Sequence, residues 1–287
     1  MIPMTDIIEI YLTIDADSCE FKASQVLANF TGLSQGKIKD AMQKGALWLL
    51  RGENKRRLRR ASKTLQIGDQ LNFNYNPKLL NQFVPEPLLI HDAHDYSIWF
   101  KPFGLACQGS RWGDFASINR WVAINLHKLT NTPERSVFLV HRLDRATSGL
   151  MLLCHSKTAA RLFSEMFING QIDKCYQAIV VGDFSVLSQD YEVDLLVDGK
   201  ASQSIFSYVD SKNDFSLVNV RLLTGRKHQI RQHLSALGYP IVGDRLYGNA
   251  SNKSRDLQLQ SVSLEFICPI TQNQNYFTVA ENQRLAL

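Results

Sequence analysis

Cysteine is scarce and unpaired in this sequence. There are five in 287 residues (Cys19, Cys107, Cys154, Cys175, Cys268), an odd number, and no C-x-x-C. That argues against a disulfide framework and a zinc ribbon, and a reducing cytoplasm is the expected setting. No apolar run approaches the roughly 20 residues of a membrane-spanning helix, so no membrane association is expected. The N-terminus, "MIPMTDIIEI", places no basic residue ahead of its apolar positions, which does not fit a secretion signal. H-E-x-x-H and the glycine-rich phosphate loops are missing, and Ser148 of "TSG" lacks the two flanking glycines of G-x-S-x-G, so nothing points to a zinc protease or a nucleotide-binding loop, and Ser148 does not read as a hydrolase nucleophile. His228 and His233, five apart, fall on different faces of a helix, and His91 and His94 have only Asp92 and Asp95 for company; no metal is expected.

What the chain does have is an uneven charge. The net value is only +5, but residues 1–20 carry five acids and no bases, while residues 21–80 carry twelve bases against three acids. The densest run, "RGENKRRLRRASK", contains Arg51, Lys55, Arg56, Arg57, Arg59, Arg60 and Lys63 with a single acid. Such a cluster suits a phosphate backbone, although a solvated basic hairpin would look the same.

Residues 1–76 read as a small unit. "ASQVLANFTG" and "SQGKIKDAMQKG" have helical apolar spacing and stop at Gly32 and Gly45. "ALWLL", the basic run and the alternating "DQLNFNY" then read as strands. Residues 77–85 are proline-bearing and aperiodic, a linker. Residues 86–287 read as a mostly β domain with inserted helices. "YSIWFKP", "SVFLV", "LMLLC", "CYQAIVV", "QSIFSYV" and "SLVNVRLL" are its strands, and "KTAARLFSEMFING" and "HQIRQHLSALG" its helices. The class is therefore α+β.

Three segments could carry chemistry. In "HRLDRATSGL", Arg142 and Asp144 point to one side of an extended segment while Leu143 points to the other. A carboxylate there is rigidly placed yet accessible, unless it merely caps its own turn through Thr147 or Ser148. In "GRKHQIRQHLSALG", Arg226, Lys227 and His228 open a helix and Arg231 follows within it. Cations at that end oppose the helix dipole, which makes sense if an anion or a protein carboxylate binds there. In "KCYQAIVV", Lys174 and Tyr176 share a strand face, an arrangement suited to stacking under a nucleobase, or simply to a core tyrosine.

Taken in order, "KPFGL", "HRLDRATSGL", "KCYQA", "GKASQS", "GRKHQIRQHLSALGYPIVGD" and "DRLYG" resemble the RluA-type pseudouridine synthases over roughly residues 86–287. The resemblance implies a mixed, mostly antiparallel β-sheet catalytic domain with flanking helices. It implies isomerisation of uridine to pseudouridine in RNA with neither metal nor organic cofactor. It further implies Asp144 as the catalytic aspartate, Tyr176 as the ring that stacks on the target base, Arg231 as the partner of the aspartate and Arg142 as a holder of the flipped nucleotide. Lys174, Arg226 and His228 are carried as substrate-binding residues. Ala106, Cys107 and Gln108 depart from the Val-His-Pro-like turn that follows in many relatives, as does Lys227 from the usual Thr or Ser, at the rim of the site. The N-terminal unit resembles the helix–helix–β-hairpin RNA-binding fold named after a ribosomal protein, with "LLRG" in place of its usual turn.

The expected partner is RNA, ribosomal in preference to transfer RNA by analogy at the level of fold, and the expected state a monomer. Two other readings stay open. One is a non-catalytic RNA-binding or ribosome-assembly factor with a pseudouridine synthase-like domain. The other is a carboxylate glycosidase, which would need two positioned acids where the sequence offers one convincing acid among bases.

Overall fold

The computed structural model describes residues 7–187, 189–248 and 255–287. It divides into two compact units. The first comprises residues 1–84 with 108–121, the second 85–107 with 122–287. Residues 108–121 thus group with the first unit, although the sequence places them inside the second.

In the first unit α1 (Ala23–Thr31) and α2 (Gln35–Gln43) cover one face of an antiparallel sheet ordered β1 (Ile8–Thr13), β4 (Gln70–Tyr75), β2 (Leu47–Arg51), β3 (Asn54–Arg57). Leu27, Ile38 and Met42 from the helices meet Leu47, Leu49, Leu71 and Phe73 from the strands, all fully buried. Each such side chain contributes roughly 1.5–3 kcal/mol through burial. The predicted helices and hairpin are present, and Gly32 ends α1 at φ 68°, a left-handed cap that glycine adopts without strain. Strand β1, the alternating "IEIYLT", is not among the elements expected from the sequence. The linker holds a short helix, α3 (Pro77–Leu80).

The second unit is built on a ten-stranded, mostly antiparallel sheet with few helices, as the fold expectation states. From one edge it runs β10 (Tyr191–Val197), β11 (Lys200–Lys212), β12 (Phe215–Leu222), β9 (Asp173–Val181), β13 (Leu259–Ile267), β8 (Ser148–Cys154), β6 (Tyr96–Lys101), β5 (Leu88–Asp92). Strand β14 (Gln274–Thr278) pairs with β13, and β7 (Phe138–Leu139) with β8. The predicted strand "SVFLV" shrinks to β7, Phe138–Leu139. A helix the sequence did not suggest, α4 (Ile118–Thr130), precedes it.

Helix α5 (Lys157–Ile168) starts at Ser156, whose Oγ accepts the Ala159 amide at 3.1 Å. It buries Ala159, Phe163 and Met166 against the sheet. Phe163 sits between Tyr96 and Phe266, ring centroids 5.0 and 5.4 Å away. No helix among the described residues is long and apolar enough to cross a membrane.

One pairing positions the site. Strand β13 lies between β9 and β8, antiparallel to the first and parallel to the second. Its Ser261 is opposite both Tyr176 of β9 and Gly149 of β8. The strand thereby draws the tyrosine and the turn before Gly149 to one place. A Cβ at Gly149 would collide with the Ser261 backbone, and the residue sits at φ 113°, so the glycine of "TSG" is required by this close approach.

Candidate active site

Asp144 sits on the turn entering β8, and the 101–107 loop grips the chain on both sides of it. On one side the Leu143 amide donates to Cys107 Sγ at 3.2 Å, and that thiol donates to the Leu143 carbonyl at 3.1 Å. On the other, the Gly104 amide and the Lys101 ammonium both reach the Arg145 carbonyl, at 2.9 and 3.4 Å. Leu143 and Thr147 point inward and are buried, while Arg142 is exposed. This explains why charges interrupt two apolar runs: the turn is anchored by its inward residues and by backbone contacts, which frees Arg142 and Asp144 to face an opening. The carboxylate does not cap its own turn, since the Thr147 amide takes the Asp144 backbone carbonyl at 3.0 Å.

Asp144 Oδ2 instead accepts from Arg231 Nη1 at 3.1 Å and lies 3.5 Å from His228 Nε2. Arg231, in the first turn of α6 (Gln229–Ala236), is 6% exposed. Its other edge is clamped by Asp244, with Nε and Nη2 each 2.7 Å from a carboxylate oxygen. Asp244 also accepts the amides of Leu246 and Tyr247 at 2.9 and 3.0 Å. Burial opposes its charge, but Arg231 and these amides outweigh it and hold the carboxyl below the usual carboxylate range. The Arg231 guanidinium lies over the Tyr247 ring, 5.1 Å from its centroid, and the Tyr247 hydroxyl is 3.0 Å from His228 Nδ1. His228 adopts a left-handed backbone, φ 57°, which turns its ring toward Asp144 ahead of the helix.

Asp144, Arg231 and His228 line a pocket of about 390 Å³ that is open to solvent, together with Tyr176, Arg142, Arg226 and the apolar Leu222, Ile230 and Leu259, while Asp244 and Tyr247 stand behind them. Tyr176 is 8% exposed, and burial raises its phenol pKa, so it is a neutral aromatic wall. The structure thus brings Asp144, Tyr176, Arg231, Arg142, Arg226 and His228 to one opening. Lys174 is not among the lining residues: its ammonium sits 5.7 Å from the Phe167 ring centroid. Strand alternation puts it on Tyr176's side of β9, but two residues further along, beside α5.

Three residues of the site carried no role in the sequence reading. Asp244 and Tyr247 belong to the quoted "DRLYG", and Lys101 to "KPFGL". Lys101 is fully buried and donates to the Leu105 carbonyl at 2.9 Å and the Pro102 carbonyl at 3.2 Å as well as to Arg145. Burial lowers its pKa from 10.5 to about 8, against the pull of Cys107 and Asp144. Between those values the unfolded chain binds more protons than the folded one. This lysine therefore adds stability that grows as pH rises through the window, by about 3 kcal/mol in full, and is lost as pH falls through 8. Urea unfolding of wild type against Lys101→Met across that range should show this increment in the wild type alone. A constant difference between the two would refute it.

The basic run of the first unit is only partly available for RNA. Arg51 binds Asp69 bidentately, at 2.7 and 2.6 Å. Arg59 pairs with Asp114 at 2.5 Å, and Arg57 reaches Asp114, Ser110 and Gly45. Arg56, Arg60 and Lys63 have no carboxylate within 4.0 Å among the described residues, and Lys55 lies over Trp48.

A family model described as RNA pseudouridylate synthase matches residues 95–236. The Bacillus subtilis (strain 168) protein named uncharacterized RNA pseudouridine synthase YjbO is 32% identical over 211 residues, covering 69% of this chain and 74% of that one. Ribosomal large subunit pseudouridine synthase C of Vibrio vulnificus (strain CMCP6) is 29% identical over 65% of this chain and 63% of its own length. A tRNA pseudouridine synthase C of Haemophilus ducreyi (strain 35000HP / ATCC 700724) also matches, 32% identical over 54% of this chain and 71% of its own. Among solved structures, human RNA pseudouridylate synthase domain containing 4 superposes with a TM-score of 0.57 at 22% identity, over 67% of this chain and 88% of that one. With the ordered motifs, the mixed sheet and these matches in agreement, the chain belongs to the RluA-type family of RNA pseudouridine synthases.

Proposed function

We propose that this pocket isomerises uridine in structured RNA, ribosomal RNA in the first instance, with Asp144 as the reacting carboxylate. The observation that carries the reading is the arrangement of two acids around one arginine. Asp244 spends its oxygens on Arg231 and two amides, whereas Asp144 takes one edge of Arg231 and keeps 27% of its side chain exposed in the pocket. One acid orients and the other is free to react. That is not the pair of working acids a glycosidase needs.

The uridine leaves the RNA stack at a typical cost of a few kcal/mol, of which stacking on Tyr176 can offset about 1–3 kcal/mol. Arg142, exposed at the rim, holds the extruded nucleotide. The Arg231 guanidinium, donating to Asp144 Oδ2 at 3.1 Å, fixes the orientation of that carboxylate. The carboxylate then acts in one of two ways, as a nucleophile on the nucleoside or as a base on the sugar. In either case the N1–C1′ bond breaks, the base turns over, C5 bonds to C1′, the C5 proton passes to solvent and N1 takes up a proton. Arg226 stands at the same rim, its Nε anchored on the Ala201 carbonyl at 3.1 Å, with its charge directed to phosphate.

The choice of ribosomal RNA draws on the basic N-terminal unit and on the printed name of the Vibrio relative. A cytoplasmic setting goes with it. The purified chain should release tritium from C5-labelled uridine in ribosomal RNA transcripts and not from free uridine. Release from tRNA alone would move the substrate assignment. Release from no RNA would leave the non-catalytic reading.

A further inference from the structure

The N-terminal sheet has a second face that the helices do not cover. Residues directly opposite on neighbouring strands point to the same side, and the register Tyr11–Asn72–Trp48–Arg57 forms one such row across all four strands. Thr13, Gln70, Leu50 and Lys55 form the next. On the two central strands the residues that alternate with these, Leu47, Leu49, Leu71 and Phe73, are buried under the helices, so both rows lie on the outer side.

Tyr11 is 67% exposed there, on a strand where a polar residue would be the ordinary choice. Trp48 is half-buried, with the Arg57 guanidinium 4.1 Å from its ring centroid and the Lys55 ammonium 5.4 Å away. The turn at 110–113 adds a third ring. Arg111 lies 4.7 Å over Trp112, its carbonyl accepts Trp48 Nε1 at 3.3 Å, and its guanidinium neutralises Glu9 at 3.0 Å. The face therefore presents aromatic rings set among cations, and among the described residues Glu9 is paired with Arg111 and Asp114 with Arg57 and Arg59.

We propose that this outer sheet face is a stacking platform for unpaired nucleotides of the RNA substrate, with Tyr11 as the open ring and Lys55 as a phosphate contact. Two features favour an RNA strand over a protein partner. The excess charge is positive, and lysine is depleted from protein interfaces. Rings beside cations on a strand surface match the way single-stranded RNA is held, with bases stacked on aromatics and the backbone neutralised. Tyr11 and Trp48 are two strand spacings apart, roughly 9–10 Å, so they serve two separated bases rather than one. The platform rests on the reading that the chain acts on RNA, and extends it to unpaired segments outside the pocket.

The test uses the full chain and a short fluorescein-labelled oligouridylate, with a blunt RNA duplex as the comparison, followed by anisotropy. Because Tyr11 is exposed, Tyr11→Ala should fold normally. It should weaken oligouridylate binding about 5- to 150-fold, the range of one lost base stack, while duplex binding changes little and Tyr11→Phe behaves as wild type. Lys55→Gln should weaken oligouridylate binding and lower its salt slope. Wild-type affinity in Tyr11→Ala, or an equal loss on duplex, overturns the platform. Tritium release by the wild type separates the two claims. Release together with unchanged Tyr11→Ala binding removes the platform and keeps the enzyme. No release together with Tyr11-dependent binding does the reverse.

Discussion

Asp144→Asn is expected to abolish tritium release from C5-labelled RNA, lowering turnover by about four orders of magnitude or more, the scale on which removal of a reacting side chain acts in other enzymes. Asparagine matches the shape of the side chain but can neither add to the nucleoside nor take its proton at a useful rate. The fold should survive, because Arg231 keeps its bidentate partner Asp244 and no buried cation is left alone. The melting temperature and the affinity for RNA should therefore stay close to wild type. An Asp144→Asn protein that still turned over would take the carboxylate out of the reaction, and with it the proposed division of labour between the two acids.

Asp244→Asn should do the opposite: destabilise first and slow turnover as a consequence. Asp244 is 3% exposed and neutralises a guanidinium that is itself 6% exposed. Removing one partner of a buried pair typically costs 3–5 kcal/mol, which for a protein of this size is a fall of roughly 10 °C in Tm. Arg231 would then be oriented by Asp144 alone. Asp144 would be drawn into a structural contact, and kcat should drop by about 10- to 100-fold without complete loss. The pH dependence gives an independent check. Since the folded protein holds the Asp244 carboxyl below its ordinary range, its contribution is fully present above the unfolded-state value and disappears as pH falls through the lower folded value. That acid-labile component should be missing in Asp244→Asn. An equally stable variant with the wild-type acid profile would show that Asp244 is not what holds Arg231.

Much of this architecture could be read along the chain, because it depends on neighbours in sequence. The two N-terminal helices, their glycine stops and helix α5 follow from apolar spacing over a few turns. The outward pairing of Arg142 with Asp144 around a buried Leu143 follows from strand alternation, and the motif order points to the reaction class. Strand β1 and helix α4 were less legible: one is a short alternation at an acidic end, the other a segment whose apolar residues are diluted by polar ones.

Folding in three dimensions decided which charges meet. Thirteen residues separate Arg231 from Asp244 and 87 separate it from Asp144, yet one guanidinium serves both acids. Ser261 of β13 joins Tyr176 to Gly149 because that strand enters between β9 and β8, an order that no local period encodes. The same holds for the basic run. Its seven cations look alike in sequence, but Asp69 and Asp114 occupy three of them and leave the others to solvent or ligand. Periodicity tells which side of an element is apolar and therefore turned inward. It carries no information on which distant element arrives there, since that is settled by burying whole faces at once, and the partners of Asp144 are a consequence of that closure.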